Sequence, residues 1–189
     1  MKSFTKHPRY DNQARPTYDI AVIKLKTKVG RFTKFIQPLC LLHNMKHHNH
    51  GSQDLSTSLS HLESGNQTLQ VAGWGDDGRS GVGTVLRYAH RMRYVANNQC
   101  NREWGYFGRP GILESQVCTR GDNWSSACHG DSGGPLMWNL GGREFLLGVV
   151  SWGPPTCATG RTTQPAIHTN LADIGSFTPF LKQNIGGDP

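Results

Sequence analysis

The 189 residues are 35% apolar and carry a net charge of +7, from 20 Lys plus Arg against 13 Asp plus Glu. That length and composition can bury a core, which excludes a disordered polypeptide. The chain has no apolar stretch long enough for a membrane-spanning helix, and its spread of basic residues without an aromatic platform argues against nucleic-acid binding.

With 23 Gly and 10 Pro breaking up short apolar runs, the predicted class is all-β. The opening Met1–Lys6 is basic but is followed by no apolar run of the kind a secretory signal needs. Tyr18 to Leu25 reads as a β-branched strand with Asp19 at its start, either held at the strand's buried end or capping a turn. Ile36 to Leu41 is a second apolar run and carries Cys40. Leu42 to Gln70 is polar and rich in Ser and His, as a connecting loop would be. Within it His43, His47, His48 and His50 cluster, but no carboxylate or cysteine of fixed spacing completes a set of ligands. A solvated loop is therefore expected there and no metal.

Leu69 to Gly75 predicts a strand ending in a Gly-Trp-Gly turn, with Trp74 in the core. β-Formers continue near Val85 to Val95 and from Phe145 to Trp152, and Phe177 to Ile185 reads as a short terminal helix. Five cysteines leave one unpaired within the chain. Together with two glycosylation sequons, at Asn66 and Asn123, they point to an oxidising, extracellular setting.

The most informative stretch is Gly130-Asp131-Ser132-Gly133-Gly134-Pro135. A serine hydroxyl is a weak nucleophile unless a general base lies beside it, and the oxyanion it creates needs backbone N–H donors aimed at one point. Glycines on both sides allow a turn that exposes the hydroxyl and directs amides inward. A plain glycine-rich turn before a strand is the alternative.

This hexapeptide, with Cys128 two residues before it and Ser151-Trp152-Gly153 after it, resembles the active-site region of the chymotrypsin/trypsin-like serine proteases. The resemblance implies a double β-barrel with its first barrel incomplete, about the last two strands being encoded, plus a short C-terminal helix. Residues 1–42 would be the remnant of the first barrel, 43–68 the connection, and 69–189 the second barrel. In catalysis Ser132 would be the nucleophile and Asp19 the carboxylate that orients the base, with the oxyanion hole formed at Gly130 and Ser132. Ser151 would donate to Asp19, and Gly153 would pair with an extended peptide substrate. Ser126 would lie at the floor of the primary pocket, between Gly153 and Ala166. With no carboxylate there, a neutral slot for Leu, Tyr, Phe or Met is expected. His129 would sit on the rim and His168 at the back.

The same resemblance implies disulfides Cys100–Cys118 and Cys128–Cys157. Leu69 and Trp138 stand where another family disulfide would be, and Cys40 is expected to be unpaired, available to an activation-peptide partner. Two departures matter. The family's histidine segment, Ala-Ala-His-Cys, is absent from the residues before Asp19, so the chain on its own is expected to be inactive. Asp131 is also expected to lack its usual ammonium partner, which would leave the serine loop in a zymogen-like form with an incomplete oxyanion hole. The implied partner is a polypeptide substrate, with no cofactor. The alternative is a non-catalytic homologue that binds a partner.

Overall fold

The structure is a computed structural model that describes residues 1–13, 15–42, 62, 64, 68–77, 83–105, 111–122, 125–155, 157 and 164–185. The His-rich segment and the asparagines of both sequons lie outside the described residues.

Two short strands, β1 (Ser3–Lys6) and β2 (Ala21–Lys24), pair antiparallel as a ribbon of their own. β3 (Cys40–Leu41) instead joins the main sheet, running parallel to the strand Arg143–Trp152 with Cys40 opposite Phe145. The main sheet is made of β4 (Leu69–Gly73), β5 (Arg87–Val95), β6 (Gln116–Gly121), β7 (Pro135–Leu140), β8 (Arg143–Trp152) and β9 (Ala166–Asn170). Its order is β8-β7-β4-β5-β6-β9, and β8 pairs again with β9, so six strands close into a barrel. Closure protects these strands from edge-to-edge association, as an open sheet of this length would not be. A two-residue loop, Gly141-Gly142, joins β7 to β8, and φ values of 58° and 80° give it the left-handed geometry of a tight hairpin.

The barrel interior is filled by Leu69, Met92, Leu136 and Trp138, all with 0% exposure. Leu69 and Trp138 are direct cross-strand partners between β4 and β7, so two apolar side chains meet where the resemblance pointed to a missing disulfide. A second cluster gathers on α1 (Asn97–Gly105), where Cys100 and Trp104 pack with Cys118 and Ile167. A third cluster joins the N-terminal segment to α2 (Ile174–Ile185) through Ile20, Leu171, Phe177, Phe180 and Leu181.

Both expected disulfides form, with Cα–Cα distances of 6.4 Å for Cys100–Cys118 and 5.4 Å for Cys128–Cys157. Each closes a loop long enough to stabilise the fold by roughly 3 kcal/mol through the unfolded chain's entropy. Cys40 is the free cysteine.

Several local expectations need correction. Trp74 is not in the core but 54% exposed. Side chains alternate along an extended chain, and Gly73 and Gly75 face inward, where a Cβ on either would collide with the Asp131 carboxylate. Trp74 between them is thereby turned outward. The strand expected near Val85 begins at Arg87, with Val85 and Leu86 left exposed. The terminal helix starts three residues earlier than Phe177 because Asp173 caps it: Oδ1 accepts from Ser176 N at 3.2 Å.

Candidate active site

The serine loop is built by a carboxylate. Asp131 Oδ1 accepts from Gly75 N at 2.7 Å and Oδ2 from Cys128 N at 2.9 Å. Asp131, expected to lack an ammonium partner, is thus held by two backbone amides, and the bare faces of Gly73 and Gly75 permit the approach. The turn is completed by Asp131 N donating to Cys128 O at 3.0 Å and Gly134 N to Asp131 O at 2.8 Å, while Gly133 N reaches Val150 O at 2.8 Å. Gly130 and Gly133 take φ of 94° and 81°, which a side chain would resist. Among the described residues the amides of Gly130 and Ser132 have no acceptor, and Ser132 is exposed.

Asp19 is fixed from the other side. Its Oδ2 accepts from Ser151 Oγ at 2.7 Å, and its backbone carbonyl accepts from Thr169 Oγ1 at 2.7 Å. The residue before it, Tyr18, has φ of 48°, a left-handed conformation costly for an aromatic residue. Tyr18 is held there by the stacked ring of His7, 5.2 Å away, and by the Arg9 guanidinium 4.0 Å over its ring. His7 itself is a buried structural residue. Its Nδ1 accepts from Arg9 N, leaving Nε2–H to donate to Ser176 O at 3.2 Å.

Asp19 and Ser132 line the same cavity, of about 600 Å³, whose walls include Ile20, Leu41, Val149 and Val150. Such apolar walls strengthen any charge interaction within it. No histidine lines this cavity among the described residues.

A family model described as Trypsin matches residues 1–178. The chain belongs to the trypsin family of serine proteases. It is 33% identical over 172 residues to testisin of Homo sapiens, covering 87% of this chain and 47% of that protein. It is 31% identical over 181 residues to phenoloxidase-activating factor 1 of Holotrichia diomphalia, covering 95% and 43%. It is 29% identical over 174 residues to CLIP domain-containing serine protease B15 of Anopheles gambiae, covering 91% and 43%. The chain thus spans less than half the length of these relatives.

Ser126, Gly153, Ala166 and His129, the other positions that the resemblance singled out, do not line that cavity. Gly153 backs onto Ala166, whose Cα is 3.6 Å from where a Gly153 Cβ would be. The Ser126 hydroxyl is buried and has no hydrogen-bond partner among the described residues. His129 is exposed, with Nδ1 3.7 and 3.6 Å from the sulfurs of Cys128 and Cys157.

His168 is fully buried in β9 and shares a 2.7 Å hydrogen bond with Thr119 Oγ1. Burial disfavours its charged form and lowers its pKa to about 3. In the unfolded chain the ring titrates near 6.5. Between these values the unfolded state holds a proton that the native state does not, so stability falls as pH drops from 6.5 toward 3. The slope is at most about 1.4 kcal/mol per pH unit. Urea midpoints measured from pH 7 to pH 4 are expected to fall less steeply in His168→Gln than in the unaltered chain. Equal slopes would remove His168 from the acid response.

Sequence reasoning missed one further feature beside the site. Arg15 is buried, with its guanidinium 4.8 Å from the Trp152 ring and 5.9 Å from that of Trp104. No local pattern announces such a contact, because it joins three distant parts of the chain.

Proposed function

We propose that the chain carries the serine and the aspartate of an extracellular serine endopeptidase acting through an acyl-enzyme. The observation that carries this reading is the shared cavity: Asp19 and Ser132, far apart in sequence, face one apolar space, and Asp19 is already oriented by Ser151. Residues 1–42 supply the carboxylate and 69–189 the nucleophile.

Ser132 Oγ attacks the scissile carbonyl carbon and gives its proton to an imidazole whose other nitrogen is held by Asp19. The carbonyl oxygen gains negative charge, and the amides of Gly130 and Ser132 are the donors free to receive it. Collapse of the tetrahedral intermediate breaks the C–N bond, and the imidazolium protonates the leaving amine. Ser126, Gly153 and Ala166 make a neutral primary pocket, and residues Ser151 to Gly153 pair with the substrate backbone by strand addition. Because no histidine lines the cavity among the described residues, the isolated chain is read as inactive until an imidazole is supplied. The two disulfides support the extracellular setting. The same lack of a lining histidine favours a second reading, a non-catalytic relative that binds a partner.

The test is covalent labelling by peptidyl phosphonate probes ending in Phe or Arg. Without added imidazole, labelling is expected to match the Ser132→Ala background. With free imidazole, the Phe probe is expected to label Ser132 faster than the Arg probe. A faster Arg probe would refute the neutral pocket, and no labelling at any imidazole concentration would favour the second reading.

A further inference from the structure

A set of metal-ligand atoms gathers in the second barrel, outside the residues that line the Ser132 cavity. The sulfurs of Cys128 and Cys157 and Nδ1 of His129 all lie within 4.8 Å of one another. No other three His, Cys, Asp or Glu side chains among the described residues come together in this way. Both cysteines are buried, whereas His129 is exposed, so an ion from solvent meets the imidazole first. The other disulfide differs: Cys100 and Cys118 have 0% exposure and pack with Trp104 and Ile167.

While Cys128 and Cys157 are joined, neither sulfur is a thiolate, the form that binds metal. Reduction changes that. A tetrahedral zinc ion, with thiolates at about 2.3 Å and imidazole at about 2.0–2.1 Å, needs N···S edges of about 3.6 Å and an S···S edge of about 3.8 Å. Two of the three edges already have that length, since Nδ1 is 3.7 Å from the Cys128 sulfur and 3.6 Å from that of Cys157. Opening the bond lets the sulfurs part toward the third. The backbone holds each ligand in place: Cys128 N donates to Asp131 Oδ2 at 2.9 Å, Asp76 N to His129 O at 2.8 Å, and Cys157 N to Pro154 O at 3.2 Å.

We propose that Cys128, His129 and Cys157 become a zinc site when a free thiol reduces their disulfide, with two thiolates and Nδ1 as ligands and the fourth position left to water. Two external thiols are oxidised to their own disulfide and leave both cysteines as thiols, and the incoming zinc ion then displaces the two thiol protons. The donors select the metal. Two sulfurs and an imidazole suit zinc, whereas calcium and magnesium require oxygen ligands, and no carboxylate belongs to the cluster. The ion would thereby replace the covalent tie between the serine loop and Cys157 with a coordinate one. Where thiols are scarce the disulfide keeps the site closed. The proposal does not depend on the proteolytic reading.

The test is titration of the full chain with cobalt(II), as a coloured stand-in for zinc, before and after reduction by a phosphine that is then removed. Cys40→Ser serves as the background, so that the free cysteine adds no thiolate. Sulfur-to-cobalt charge transfer and the visible bands of a tetrahedral ion are expected only after reduction, and zinc should bleach them. The imidazoles of His43, His47, His48 and His50 cannot produce the sulfur band. Replacing Cys128 and Cys157 by Ser together should abolish the signal, and His129→Ala should weaken binding at least about tenfold. Sulfur bands before reduction, none after it, or equal affinity in His129→Ala would overturn the proposal. Should reduction unfold the chain, zinc is expected to restore its circular dichroism but not that of His129→Ala. Equal recovery in both, or recovery in neither, would overturn it too.

Discussion

Asp131→Ala is expected to destabilise the fold by about 2–6 kcal/mol and to abolish any acylation of Ser132. The carboxylate accepts from two amides, those of Gly75 and Cys128, and both residues are buried. Each buried N–H left without an acceptor costs about 1–3 kcal/mol. Water cannot readily replace the lost acceptor, because Gly73 and Gly75 press against the carboxylate. Asp131→Asn should fall between the two, since its amide oxygen can accept one of the bonds while its NH₂ faces the other donor. Urea denaturation measures the stability and phosphonate labelling the acylation. A loss below about 1 kcal/mol for Asp131→Ala would mean that the serine turn holds itself without this carboxylate.

Trp138→Ala should cost about 3–5 kcal/mol, the range for emptying a large buried aromatic site. Trp138 has 0% exposure and sits opposite Leu69, which has 0% exposure too. Leu69→Ala removes the other half of the same contact, and the double variant should lose less than the two single losses added, because neighbours couple. Strict additivity in urea melts would indicate that the two side chains stabilise the barrel independently.

Features with a local or motif-borne signature were legible from the residues. The serine turn announced itself through its glycines, and their positive φ values at Gly130 and Gly133 are what that string requires. The pairing of Cys100 with Cys118 and of Cys128 with Cys157 followed from the family resemblance, as did the bond from Ser151 to Asp19. Other features depend on where distant segments meet, and no window of sequence contains them. Trp74 looked like core because tryptophan usually is, yet the contact of Gly73 and Gly75 with Asp131 decides its direction. Tyr18 carries no sign of its left-handed backbone, which His7 and Arg9 impose from outside. The start of α2 was legible in principle: Asp173 stands where a capping residue belongs.

The amide partners of Asp131 show the limit most clearly. The resemblance anticipated a carboxylate lacking its ammonium partner. Backbone geometry answered it with two N–H groups that a sequence does not advertise.

The central claim is that the carboxylate of residue 19 and the hydroxyl of residue 132 serve one imidazole. The most direct measurement is the rate of imidazole-dependent phosphonate labelling in Asp19→Asn compared with the unaltered chain. The rate is expected to drop by at least about tenfold, though by less than the ~10⁴ lost when the imidazole is fixed, because a free ring can still orient from solution. An unchanged rate, with Ser132 remaining the labelled residue, would contradict it.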